Sequence, residues 1–77
     1  MHNEGDLPGA GGEYRVAIFD VQGRHVATIL EQLLTPGDHS YAWDGRRSDG
    51  FTVGAGVYFV RATGPGFSQN AKIVVVR

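Results

Sequence analysis

Twelve of the 77 residues are glycine, and most of them lie in clusters between short apolar runs. Glycine adopts positive φ at little cost, so such clusters mark tight turns. The runs between the turns alternate apolar with polar residues, or are rich in β-branched and aromatic residues, which is typical of strands. The clearest runs are residues 14–20, 39–43, 57–62 and 69–76. With a fifth strand after residue 24, this spacing predicts an all-β sandwich or small barrel of antiparallel strands.

Residues 25–34, where the fifth strand is expected, are ambiguous. Their apolar residues have the spacing of one helical face: Val26, Ile29, Leu30, Leu33 and Leu34. Such a stripe is typical of an amphipathic helix. A turn signal at residues 20–24 and the β-branched residues of the segment favour a strand antiparallel to residues 14–20. Periodicity alone leaves both structures open.

Length and composition bound the class of protein. A chain of 77 residues forms one domain with a thin core. The absence of cysteine excludes a disulfide scaffold and a thiolate zinc site. A formal net charge of −1, with Lys and Arg spread along the chain, argues against a nucleic-acid surface. No apolar run approaches the roughly 18 residues of a membrane span, and residues 1–12 do not resemble a signal peptide.

Several segments, taken in order, form a pattern that resembles a known family. They are residues 16–26 (VAIFDVQGRHV), residues 36–45 (PGDHSYAWDG), Asp49-Gly50, residues 56–61 (GVYFVR) and residues 72–77 (KIVVVR). Together they resemble the FlgD-type Ig-like domain of the flagellar hook-capping protein and the type A C-terminal sorting domains of type IX secretion. The resemblance covers residues 7–77 and implies a small immunoglobulin-like antiparallel β-sandwich. It favours a strand through about Leu30 and leaves a helical turn after it open.

The resemblance also implies roles for individual residues. Trp43 anchors the core and Tyr58 lies on the inner face opposite it, while glycines and aspartates form the turns. The residues that carry the pattern are Asp20, Gly23, Trp43, Asp44, Gly45, Asp49, Gly50, Gly56, Tyr58 and Lys72. Family members begin with an additional strand that ends near a Leu-Pro pair, here Leu7-Pro8. Because residues 1–6 are polar and do not alternate, we expect that strand to be missing or truncated.

These observations predict the domain organisation. We expect a flexible N-terminal segment over residues 1–12 and an Ig-like β-sandwich over residues 13–77. An empty first-strand position would expose the backbone of the neighbouring strand, with which other chains can pair.

Residue types that bind metals occur without a supporting arrangement. His25 and His39 stand near turns, with no third ligand placed beside them. Asp44 and Asp49 bracket a loop that also contains two arginines, so turn capping is favoured over a Ca²⁺ site, which stays open. We expect no metal and no cofactor.

Catalytic and binding motifs are equally weak. Ser40 and Ser48 lack the surroundings of a hydrolase nucleophile, and a small β-domain offers little concave room. We therefore expect no enzyme activity. Phe51 and Phe67 are expected to close the ends of the core rather than to meet a partner. A carbohydrate-binding module would need coplanar exposed aromatic residues, but two of the candidates Tyr14, Tyr41 and Phe59 are predicted to point inward.

The leading functional hypothesis is a non-catalytic extracellular module, secreted or at the bacterial cell surface. It would act as a sorting domain through protein–protein contacts with the secretion machinery. A second hypothesis is a structural subunit of a filament or strand-swapped oligomer, in which the vacant first-strand edge accepts a strand from a neighbouring copy. A third is a hook-cap-like scaffold domain. None of these predicts nucleic-acid binding or a membrane span.

Overall fold

Within residues 4–76, which the computed structural model describes, the chain folds into six antiparallel strands in two layers. The strands are β1 (Glu4–Leu7), β2 (Gly12–Asp20), β3 (His25–Leu34), β4 (His39–Ala42), β5 (Gly56–Gly64) and β6 (Phe67–Val75). One layer is a two-stranded sheet of β1 and β4, and the other is a four-stranded sheet in the order β3-β2-β5-β6. The predicted all-β, immunoglobulin-like sandwich is confirmed. Within the described residues, no helix is long and apolar enough to cross a membrane.

Strand β2 occupies a central position because both of its faces are apolar. Val16 and Ile18 face the other layer and are fully buried, and Ala17 on the opposite face is also buried. On the neighbouring strand β5, Val60 lies opposite Ile18 and Ala62 lies opposite Val16. These cross-strand pairs form the floor of the core, as the alternation of residues 14–20 predicts.

Strand β3 continues to Leu34, so no helical turn forms after Leu30. It pairs with β2 along its length, but two register shifts leave Val26 and Ile29 as extra residues without a partner position. Each such β-bulge inserts one residue into one strand and breaks the period of two. Val26, Ile29 and Leu30 consequently all pack against the core, which explains part of the helix-like spacing, whereas Leu33 is exposed.

A first strand of four residues is present, so the prediction that this strand is missing is wrong. Glu4–Leu7 pairs antiparallel with β4, with Gly5 opposite Tyr41. Leu7 is buried and belongs to the core, whereas Asp6 is exposed. The inward-facing position before Leu7 is a glycine, and a Cβ added there would overlap the Tyr41 hydroxyl. The strand therefore alternates, but glycine stands at an inward position in place of an apolar residue. For that reason the sequence pattern does not predict this strand.

The segment after β1 is also tied to the sandwich. The Gly37 N–H donates to the Gly9 carbonyl at 3.0 Å, and the Tyr14 hydroxyl donates to the Ala10 carbonyl. Residues 4–7 thus belong to the sandwich and not to a separate flexible segment. Gly9 and Ala10 are joined to the sandwich by these hydrogen bonds, and residues 1–3 of the predicted segment lie outside the described residues.

Trp43 sits between the two layers. It directly follows β4, is 1 % exposed, and meets the ring of Tyr58 edge-on with 5.4 Å between ring centroids. The predicted contact between these two residues is confirmed. The Trp43 Nε1–H donates to the Arg46 carbonyl at 2.9 Å, so the buried indole keeps a hydrogen-bond partner. Ile73 and Val75 of β6 complete the core beside them.

The two loop phenylalanines differ in their surroundings. Phe67 packs against Tyr14, with 6.5 Å between ring centroids, and closes one end of the core as predicted. Phe51 is 71 % exposed, so the prediction that it closes the other end is wrong. Its carbonyl accepts a hydrogen bond from the Arg47 N–H at 2.8 Å, and this bond holds Phe51 in the loop before β5.

Candidate protein-contact surface

Asp20 and Gly23 lie together in the turn between β2 and β3. Asp20 Oδ1 accepts hydrogen bonds from the backbone N–H groups of Gln22 and Arg24, both at 2.9 Å. The bond from the Arg24 backbone N–H is the main cause that holds the pKa of Asp20 below its usual value of 3.8. The Arg24 guanidinium adds an ion pair at 3.2 Å. Gly23 has a φ of 81°, so these two residues form the turn.

Asp44 and Asp49 cap turns in the loop between β4 and β5. Asp44 Oδ1 accepts a hydrogen bond from the Arg46 N–H, and Asp49 Oδ1 accepts one from the Phe51 N–H, both at 3.1 Å. Each carboxylate also pairs with an arginine, Asp44 with Arg46 at 3.7 Å and Asp49 with Arg47 at 3.0 Å. Both carboxylates are thus engaged within the loop, in the manner of Asx turns.

Two glycines shape the same loop. Gly45 and Gly50 have φ values of 78° and 92°, a conformation that favours glycine. The Val53 N–H donates to the Gly45 carbonyl at 2.9 Å. Because the Trp43 indole also donates to a carbonyl of this loop, the loop and the core anchor form one unit.

Among residues 4–76, His25, His39 and Ser48 each take part in a hydrogen bond. His25 Nε2 lies 2.8 Å from Thr28 Oγ1, and His39 Nε2 lies 2.8 Å from the Thr35 carbonyl. Ser48 Oγ accepts a hydrogen bond from the Thr28 N–H at 3.4 Å. Across residues 4–76, no group of three or more His, Asp or Glu side chains is placed to hold a metal ion.

The last three residues of the family pattern occupy different positions. Gly56 begins β5 with a φ of 152°. Tyr58 packs against the core and donates its hydroxyl to the Gly54 carbonyl at 2.8 Å. Lys72 is exposed on the other face of the sheet, opposite Phe59 of β5. Of the residues in the family pattern, Lys72 lies on a surface that is unusually rich in aromatic side chains.

That surface is the solvent-facing side of the four-stranded sheet. Five side chains form what we call the outer-face cluster: Phe19, His25, Phe59, Arg61 and Lys72. The register places His25, Phe19, Phe59 and Lys72 in one row across the four strands. Phe59 is 39 % exposed. The solvated face of an antiparallel sheet is usually polar, so two adjacent phenylalanines there suggest an interaction surface.

A guanidinium and an imidazole lie against the Phe19 ring. Arg61 Cζ is 5.5 Å from the centroid of the Phe19 ring, within the range of a cation–π contact. The His25 ring meets Phe19 edge-on at 5.7 Å. The ion pairs among the described residues involve other arginines, and neither Arg61 nor Lys72 takes part in one. The cluster therefore combines aromatic surface with two cations that form no ion pair among the described residues, and the Arg61 Nε–H donates to Asn70 Oδ1 at 3.3 Å.

A shallow groove of about 340 Å³ adjoins the cluster. Phe19, Phe59 and Arg61 line it, and Val21, which is 66 % exposed, stands at the turn beside them. Asp20 also lines the groove, but its carboxylate is paired with a neighbouring arginine. The groove can accept an apolar side chain, and the adjacent cations favour a carboxylate next to it.

Sequence reasoning did not single out Phe19 or Arg61. A partial signal exists, because Phe19 alternates with the buried Val16 and Ile18, and Phe59 alternates with the buried Val60 and Ala62. The pairing of β2 with β5 brings the two rings together across about 40 residues of sequence, and neither strand alone reveals this.

Comparison with known proteins yields one match. The family model described as the FlgD Ig-like domain matches residues 3–66. No curated protein and no solved structure matches the chain. The matched residues include β1 to β5 with the turn that follows, and they end before β6.

Proposed function

Because the chain belongs to the FlgD Ig-like domain family, we propose that it is a non-catalytic, hook-cap-related module that acts through protein–protein contacts. The outer-face cluster is the observation that carries the proposal. Its aromatic pair is backed by a rigid four-stranded sheet, which holds the contacting side chains in place without loss of backbone entropy on binding. Aromatic and arginine residues are the types that most often dominate protein interfaces.

The chemistry of the cluster specifies the kind of partner. Phe19 and Phe59 favour an apolar or aromatic side chain, and Arg61 with Lys72 favours a neighbouring Asp or Glu. When a partner covers Arg61 and Phe19, water leaves and their cation–π contact strengthens from about 0.5–1 to about 2 kcal/mol. We therefore expect a partner segment in which an apolar residue is flanked by acids.

The test is capture of hook and hook-cap proteins encoded in the same genome, with the purified chain immobilised. The variant Phe59→Thr combined with Arg61→Ala removes one ring and one cation from the cluster while leaving the core untouched. Leu33→Thr is the matched control, because Leu33 is 75 % exposed on the same sheet but pairs at its far end.

We expect the wild-type chain and Leu33→Thr to bind the same flagellar protein, and the double variant to bind at least about ten-fold more weakly. Equal binding by all three chains, or no binding to any flagellar protein, contradicts the proposal. Unfolding curves of the three chains establish whether a loss of binding is a loss of fold.

A second candidate is a sorting role in type IX secretion, with the protein secreted or at the cell surface. One observation favours it. The segment Lys72 to Val76, which resembles the end of sorting domains, forms an exposed edge of the sheet and lies beyond the matched residues 3–66. A segment on an open sheet edge is accessible to an export receptor.

That role is tested by joining the whole chain to a periplasmic reporter in a host with the export system. We expect the fused reporter to appear outside the cell and the unfused reporter to remain inside. A host that lacks the export system is the control. Equal retention of fused and unfused reporter eliminates the sorting role.

A further inference from the structure

Strand β6 presents a long open edge. It pairs with β5 along all nine residues without a register shift, and within the described residues no strand pairs with its other side. It contains no proline and a single charged residue, Lys72. Proteins usually protect such edges with charges, prolines, bulges or very short strands, because an open edge recruits further strands.

The other strand edges are protected. Strands β1 and β4 have four residues each. Strand β3 carries two bulges, and the loop before β5 covers part of its edge: the Ser48 N–H donates to the Val26 carbonyl at 3.2 Å. The Thr28 N–H on the same edge donates to Ser48 Oγ. Strand β6 is therefore the edge best suited to accept another strand.

The hairpin geometry shows which backbone groups are available on this edge. Strands β5 and β6 are joined by the two-residue turn Pro65-Gly66, and such hairpins close with a hydrogen-bonded pair, here Gly64 with Phe67. Bonded and non-bonded pairs alternate from there. Residues 68, 70, 72 and 74 consequently direct their N–H and C=O groups away from β5.

We propose that a second copy of this chain binds this edge, with the two β6 strands antiparallel about a two-fold axis at Ala71. Ala71 then faces its own copy, and Asn70 faces Lys72 of the other copy. All nine residues overlap, and the two strands exchange about eight main-chain hydrogen bonds. The pair joins the two four-stranded sheets into one continuous sheet.

Charge and length favour this register over its neighbours. An axis at Lys72 would place each Lys72 opposite its copy, and like charges directly opposite are destabilising. An axis at Asn70 would run Val75 of each chain against the turn at Pro65 of the other, where the strand has ended. With the axis at Ala71, Lys72, the single charged residue of the strand, lies opposite the neutral amide of Asn70 in the other copy.

Pairing in this geometry has a consequence for the contact surface. Because the axis is perpendicular to the sheet, the outer-face clusters of both copies lie on the same side. A dimer then offers two equivalent contact sites to an assembly with repeated subunits, which raises overall affinity without new contacts. This consequence rests on the proposed contact function, whereas the dimer itself does not.

Cysteine cross-linking tests the register, since the chain has no cysteine of its own. In the proposed dimer Ala71 forms a non-hydrogen-bonded pair with its copy, with about 4.5 Å between Cα atoms, a distance that a disulfide spans. Ser68→Cys is the matched control, because residue 68 lies about 20 Å from its copy along the strand. Under mild oxidation we expect Ala71→Cys to form covalent dimers at least about ten-fold faster than Ser68→Cys.

Sedimentation velocity tests the dimer without oxidation. We expect the wild-type chain to dimerise as its concentration rises to about 1 mM. Asn70→Pro removes an outward N–H, together with a side chain that accepts a hydrogen bond from Arg61 at 3.3 Å, and should give a folded monomer, since proline is tolerated where the N–H does not serve the sheet. A wild-type monomer at the highest concentration, equal cross-linking of both cysteine variants, or undiminished dimerisation of a folded Asn70→Pro overturns the proposal. Partner capture through the outer-face cluster is measured separately, so the two proposals fail independently.

Discussion

Replacing Leu7 by alanine tests whether the first strand is packed against the sandwich. Leu7 is 7 % exposed and belongs to the core cluster, where it lies at the end of β1. The substitution removes three carbon atoms from an apolar environment, at roughly 0.8 kcal/mol for each. A residual cavity adds to this cost, although the short strand can relax. We expect a loss of about 2–3 kcal/mol in the free energy of unfolding.

That loss is large for so small a protein. At about 0.05–0.15 kcal/mol per residue, the whole domain has an unfolding free energy of about 4–12 kcal/mol. Leu7→Ala therefore removes about a sixth of it or more, and the melting temperature should fall by about 10–20 °C.

Urea unfolding measures the effect through the fluorescence of Trp43, the single tryptophan of the chain. Leu33→Ala is the control with identical chemistry, because Leu33 is 75 % exposed and its truncation should change stability by less than about 0.5 kcal/mol. If Leu7→Ala is no more destabilising than Leu33→Ala, then β1 is not packed on the core and the two-layer description fails.

Three further outcomes are expected. Gly64→Ala should destabilise the fold by about 1–3 kcal/mol in urea unfolding, because a Cβ there would overlap the buried Tyr14 ring; a neutral substitution would contradict that packing. Burial, and then the Asp6 carboxylate, raise the pKa of Tyr41 above 10.0. The contribution of Tyr41 to stability should therefore be fully present below about pH 10 and be lost as the pH rises through the folded-state pKa. Ultraviolet titration should show that Asp6→Asn lowers that pKa. Because the pKa of Asp20 is lowered in the folded state, Asp20 stabilises the fold above pH 3.8, and this contribution is lost as the pH falls through the folded-state pKa. In acid unfolding curves, Asp20→Asn should lack this pH dependence.

Alternation and turn chemistry were sufficient to predict most of the core. The inward positions of residues 14–20 and 57–62 follow from a period of two, and the large aromatic Trp43 had to be buried in so small a domain. The family resemblance predicted that Tyr58 lies opposite Trp43, which the strand patterns alone do not predict. The turn aspartates were also predictable, because their carboxylates bond backbone groups only a few residues away.

Other features depend on information outside any one segment. Strand β1 was missed because Gly5 occupies an inward position under the Tyr41 ring, so the apolar signal is reduced to Leu7. The bulges of β3 were missed because a bulge is defined by the pairing with the neighbouring strand, and the sequence of β3 alone does not mark the extra residue. The outer-face cluster likewise requires the register of β2 with β5, since Phe19 and Phe59 become neighbours only in the folded sheet.

An NMR nuclear Overhauser spectrum of the folded chain tests the central claim most directly. The contact surface and the open β6 edge both require a complete two-layer sandwich with Trp43 at its centre. We predict cross-peaks between the indole protons of Trp43 and the ring of Tyr58, and between the backbones of Gly5 and Tyr41. A solvent-exposed indole without these cross-peaks, or residues 4–7 without contacts to β4, would contradict the account.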